Sequence, residues 1–277
     1  MRLLPLVLAA VTLALPAGAQ QLRAPRTSPH ARVSQTVGLT ELTVDYHRPA
    51  VNERTIWGDL VPYDEVWRAG ANENTVFETS TDITVEGQPL PAGRYGFHAI
   101  PGRDTWTLIF STMADAWGSY SYTETEDALR VTVTPREALH QERLEYRFED
   151  LSMDAATVVL HWERLAVPFT VRANTPEITL ASMRRELRGS AGFSWQGWNQ
   201  IASYAAQHRL ALDEALGWAE RSIEMNRNVT SLATRGDVLA ALGRTADARA
   251  AYTEARAMAT PEQQARIDER IGRLGTR

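Results

Sequence analysis

Between Tyr46 and Glu73 the chain crowds together side chains that are costly to bury alone. It reads Tyr46-His47-Arg48-Pro49, then Arg54, then Trp67-Arg68-Ala69-Gly70-Ala71-Asn72-Glu73. Three guanidinium forks, an amide and a carboxylate in one run suit a clamp on a carboxylate, a phosphate or sugar hydroxyls, with Glu73 as base or acceptor. The same residues also suit a brace. Arg48 or Arg68 would then pair with Glu73 or Asp45, and Asn72 would bond loop backbone. Gly70 marks an unusual backbone conformation within the run.

Other chemistry is thinner. His30, His47, His98 and His161 fall in the same half of the chain. His47 and His98 with Glu73 would make a two-histidine, one-carboxylate metal set. No H-E-x-x-H pair supports it, so no metal is expected. Trp106, Trp117, Tyr120 and Tyr122 crowd one segment. Trp106 reads as core, while Trp117, Tyr120 and Tyr122 sit in a loop, where exposed rings would stack on a sugar or a peptide and buried ones would anchor the loop. Ser28, Ser111 and Ser119 lack a G-x-S-x-G setting, and no glycine-rich phosphate loop occurs. The ligand-binding candidates are therefore Arg48, Arg54, Trp67, Arg68, Asn72, Glu73, His98, Trp117 and Tyr120. No catalytic residue is assigned and no cofactor is expected.

Composition bounds the rest. The chain has 277 residues, 44% hydrophobic and 23% charged, as in folded proteins. A net charge of -5 disfavours a nucleic-acid partner. All 29 basic residues are Arg, so there is no Lys nucleophile and every positive site is a planar fork. There is no Cys, hence no disulfide framework and no thiol chemistry. Arg2, an apolar run over residues 3–15 and Ala17-Gly18-Ala19 read as a signal peptide over residues 1–19. A flexible linker over residues 20–27 follows. The expectation is a bacterial protein, periplasmic or secreted, without stable membrane insertion.

The elements that must position these residues divide near residue 174. Short β-branched and aromatic runs at 41–46, 74–79, 83–85, 95–100, 105–110, 129–134, 143–148, 157–162 and 169–172 read as strands. Glu86-Gly87 is a hairpin tip. Residues 62–67 suggest a helical turn and residues 114–127 a long loop. These features predict an α+β protein: an antiparallel β-sandwich or barrel-like domain over residues 28–174, then helical hairpins over residues 175–277. Thr175-Pro176-Glu177 reads as a helix start. Trp198, Ile201, Ala202 and Ala205 form one stripe; Ala248, Tyr252 and Ala255 form another, after the turn Leu242-Gly243-Arg244. The steps Ala202 to Gly236 and Ala215 to Ala248 lie near the tetratricopeptide period of about 34 residues. Two such units do not stand alone, so they are expected to dock on the β domain or on a protein partner.

One resemblance covers most of the β region. Ser28-Pro29, Gln35-Thr36-Val37-Gly38, Tyr46-His47-Arg48-Pro49, Arg54-Thr55-Ile56-Trp57-Gly58, Leu60-Val61-Pro62-Tyr63 and residues 66–73 recur in order, followed by Leu90-Pro91-Ala92-Gly93-Arg94-Tyr95, Trp106 and Trp117-Gly118. Residues 28–172 thus resemble the bacterial family called domain of unknown function 2911. His47 and Trp57 stand where that pattern is expected to vary. The resemblance implies an exported β-rich domain and supplies no catalytic residues. The expectation is a binding module with a polar or sugar ligand in the β domain and a protein-binding helical tail. The alternative is an exported hydrolase or lyase acting on carbohydrate or a related polar substrate, with Glu73 or Asp45 as acid or base beside Arg68.

Overall fold

Apolar side chains alternating with a period of two make the first half of the chain a set of strands. In the computed structural model, which describes residues 24–274, ten strands form two antiparallel sheets. The expected signal peptide lies outside the described residues. The first sheet has the order β1 (His30–Val37), β2 (Thr40–His47), β3 (Thr75–Thr79), β6 (Gly93–Pro101), β7 (Trp106–Ser111), β8 (Asp127–Val133). The second has the order β5 (Gln88–Leu90), β4 (Ile83–Val85), β10 (Ala155–Ala173), β9 (Arg136–Glu149). Both sheets keep open edges, so the domain is a sandwich and not a closed barrel.

Leu42, Val44, Phe77, Phe97 and Phe110 of the first sheet are buried in one core with Leu144, Leu160, Trp162 and Phe169 of the second. Residues between them in sequence, such as Asp45, Glu78 and His98, therefore occupy the outer face of the first sheet. The runs at 157–162 and 169–172 belong to one strand, β10. Register shifts on either side of Glu163, whose φ is 55°, let the strand bulge there and continue rather than turn. Residues 62–67 hold no helical turn. Trp67 instead exchanges both backbone hydrogen bonds with Ala99, at 2.8 Å each, as an isolated bridge.

Six helices follow: α1 (Thr175–Glu186), α2 (Trp195–His208), α3 (Leu212–Met225), α4 (Val229–Ala241), α5 (Thr245–Ala257) and α6 (Pro261–Arg273). α1 makes the junction: Ile178 packs on the sandwich core, and the Thr175 hydroxyl donates to the Met153 carbonyl at 2.8 Å. The Thr175 hydroxyl is thus a tie to the β domain rather than a helix cap. α2 packs with α3 and α4 with α5 as two hairpins. Ala202, Ala215 and Ala248 are fully buried, and a Cβ on Gly236 would lie 2.4 Å from the Tyr252 ring. Small residues at these positions set how closely the helices approach. α6 was not anticipated, although Thr260 and Gln263 form a capping box around Pro261, a readable start signal. Among the described residues, no helix is long and apolar enough to cross a membrane.

Candidate functional site

The connection from β2 to β3 carries most of the polar run, and its arginines divide into braces and one exception. Arg48 donates from Nε to the Leu144 carbonyl at 2.8 Å and lies 3.5 Å from Glu145. Arg54 donates to the Val51 and Ala50 carbonyls at 3.0 and 2.5 Å. Both fold the connection onto β9 or onto itself, spending donors of each fork on backbone carbonyls. Trp67 is also removed from the candidate surface. The Trp67–Ala99 register turns its ring inward, where it stacks on Trp162 at 5.9 Å and meets Trp57 and Trp106 edge-on.

The next residue is carried to the outer face. Arg68 is half-buried, and its Nε is sealed from solvent with no hydrogen-bond partner. Among the described residues it has no carboxylate within ion-pair distance; its neighbours are Gly118 and the Tyr120 ring, 5.9 Å from the guanidinium carbon. Its backbone is nonetheless held on both sides. Trp67 is fixed by the bridge to Ala99. The Ala69 carbonyl accepts from the Tyr146 hydroxyl at 2.7 Å and the Thr75 hydroxyl at 3.1 Å. Ala69 takes a φ of 50° in doing so, an unfavourable conformation maintained by those bonds.

The loop after β7 folds over the same face. Gly118 has a φ of 66°, and a Cβ there would stand 2.2 Å from Arg68 Nη1. Ser119 Oγ lies 3.0 Å from His98 Nδ1. The Tyr122 ring tilts against His98 at 5.4 Å, and its hydroxyl donates to Asp127 at 2.7 Å. Trp117 and Tyr120 are left exposed, at 57% and 84%. Burial holds the His98 pKa down at about 4, so its ring is neutral near pH 7. Burial likewise raises the Asp127 carboxyl, partly offset by Tyr122 and Arg130.

Glu73 and Asp45 lie on the same face with other partners. Glu73 takes a two-oxygen bond from Arg26 at 2.7 Å and lies 3.3 Å from His47; the Arg26 bond holds its pKa below the usual carboxylate value. Asp45 is 2.7 Å from His30 Nε2. Asn72 donates to the Ser28 carbonyl at 3.1 Å, tying down the N-terminal segment. The pairings of Arg48 or Arg68 with Glu73 or Asp45 do not form, whereas the bond from Asn72 to loop backbone does. His98 faces Ser119 while His47 sits beside His30, so the His47, His98 and Glu73 set is not assembled. Among the described residues, no three metal-ligating side chains are placed to hold an ion.

The structure thus brings Arg68 and Tyr120 together, sets His98 beside Ser119 of the same loop, leaves Trp117 exposed next to Gly118, and assigns Arg48, Arg54, Trp67, Asn72 and Glu73 to bracing, core or a separate ion pair. Gly118 and Ser119 complete the group; Trp117-Gly118 was legible as a motif, but its contact with Arg68 was not. Tyr146, which holds the Ala69 carbonyl, carries no sequence signal at all. Clefts of about 350 and 320 Å³ lie at Glu86 and Pro168 and among α3 to α5, away from every candidate residue. Chemically, one positive fork without a counter-ion and two exposed rings suit binding of an anionic or polar group.

No curated protein and no solved structure matches this chain. The family model described as "Protein of unknown function (DUF2911)" matches residues 28–171, more than half of the 277, and the chain belongs to that family.

Proposed function

We propose that this is an exported binding protein whose β domain holds a polar ligand against Arg68, with Trp117 and Tyr120 covering it. The observation that carries this reading is the state of Arg68. Among the described residues no carboxylate pairs with its guanidinium, yet the backbone beside it is pinned by the Trp67–Ala99 bridge and by the bonds to the Ala69 carbonyl. Pinning a fork without a counter-ion suits a site whose counter-ion comes from outside. Export rests on the N-terminal charge, apolar run and A-x-A pattern of the sequence. The helical tail would serve a protein partner. Its support is a cleft of about 320 Å³ between α3, α4 and α5, lined by Ile223 and Leu232 with Glu220, Arg227, Arg235 and Glu254.

The hydrolase or lyase alternative asks Glu73 or Asp45 to work beside Arg68. Glu73 is bonded to Arg26 and Asp45 to His30, so this geometry lends it no support. A thermal-shift screen of small anions and sugars on wild type and Arg68→Ala tests the binding reading. A stabilising ligand whose effect disappears in Arg68→Ala is expected. A ligand effect that survives the substitution intact would remove Arg68 from the site.

A further inference from the structure

Resting on the reading of Arg68 as a ligand site, we infer that the ligand is a carboxylate borne on a ring, held by one guanidinium and stacked by Trp117 and Tyr120. The charge at the site sets the first half of this. The chain has no Lys, and the other arginines on this face are committed: Arg26 to Glu73, Arg32 and Arg94 to Glu78, Arg94 also to Asp115, and Arg130 to Glu124 and Asp127. Arg68 is left as a single uncompensated positive charge, with Asp115 and Asp127 at the two ends of the loop that covers it. One fork matches one carboxylate. A phosphate dianion is normally met by several donors or a helix N-terminus, and Arg68 stands here as one fork.

The loop sets the second half. Trp117 and Tyr120 flank Gly118 and Ser119, the two residues that touch Arg68 and His98. The Tyr120 ring lies 5.9 Å from the guanidinium carbon, Trp117 adjoins Gly118 in the chain, and exposures of 84% and 57% leave faces of both rings open to solvent. Aromatic faces at that position stack on a sugar ring or on an aromatic one. The half-buried Ser119 hydroxyl offers a hydrogen bond to a ring hydroxyl, which favours a sugar acid over an aromatic acid.

Isothermal calorimetry on the full chain with five probes tests this: galacturonate, benzoate, acetate, galactose and inorganic phosphate. Wild type is expected to bind galacturonate best, with benzoate second and acetate, galactose and phosphate weaker. Affinity for galacturonate should fall by about 10- to 100-fold in Arg68→Ala, the loss of a charge-assisted bond. It should fall by a smaller factor in Trp117→Ala and Tyr120→Ala, which are surface changes that leave folding intact. Benzoate above galacturonate would support the ring carboxylate and assign it to an aromatic acid. Acetate binding as well as galacturonate would overturn the ring. Phosphate or galactose binding best, still dependent on Arg68, would overturn the carboxylate while sparing the ligand site. Silence from all five would remove both.

Discussion

Gly118 and Arg68 are fitted to each other so closely that a Cβ on the glycine would stand 2.2 Å from Nη1 of the arginine. A Cβ there would push the arginine end aside, and the left-handed backbone of Gly118 is one that glycine adopts without strain. Gly118→Ala should lower stability by about 1–2 kcal/mol and displace the arginine end. Urea unfolding would read the first effect. The second would appear as a loss of ligand-induced thermal shift larger than the stability change explains.

Tyr146 acts at one remove. Its hydroxyl bonds the Ala69 carbonyl at 2.7 Å, one residue beyond Arg68, in a fully buried setting. Tyr146→Phe removes one of two bonds to that carbonyl, and about 1–2 kcal/mol of stability should go with it. Ligand affinity should weaken as well, because the guanidinium loses part of its anchor. Calorimetry on the variant, folded at low temperature, separates the two effects.

The half-buried Trp67 and the exposed Trp117 give opposite expectations. Trp67 packs on Trp162, Trp57 and Trp106, so Trp67→Ala should cost about 3–5 kcal/mol. Trp117 is mostly exposed, so Trp117→Ala should change stability by less than about 0.5 kcal/mol while weakening the ligand. Equilibrium unfolding of both variants, paired with ligand titration of Trp117→Ala, checks the assignment.

His98 predicts a pH dependence. Its ring takes up a proton near pH 6.5 in the unfolded chain but only near 4 in the folded one, because it is buried. Between those values the unfolded state binds more protons, so stability rises with pH through the window and is complete above about 6.5. At about 1.4 kcal/mol per unit the effect is at most roughly 3.5 kcal/mol. Unfolding free energies at pH 4.5 and 7 should differ less in His98→Gln than in wild type.

The strands and helical hairpins were legible because period-two alternation and small-residue stripes are local patterns. Leu42, Val44 and Tyr46 lie inside as their spacing required. The site was only half legible. The run from Tyr46 to Glu73 presents its arginines as equals, and the structure separates them by contacts that span most of the domain. Arg48 finds Leu144, Glu73 finds Arg26, and Arg68 finds Gly118. Trp67 resembled a surface ring because its inward direction depends on pairing with Ala99, which lies far along the chain. α6 could have been found from its capping box. Tyr146 could not, since nothing nearby in sequence marks a tyrosine that serves the Ala69 carbonyl.

Nuclear magnetic resonance of the Arg68 side-chain Nε–H tests whether its guanidinium receives an external anion. The signal is assigned by its loss in Arg68→Ala. Because Nε is sealed from solvent, its proton should exchange slowly enough to be observed. On titration with galacturonate the resonance is predicted to shift and saturate, together with the indole signal of Trp117. A ligand that binds while the Arg68 resonance stays still would contradict the account.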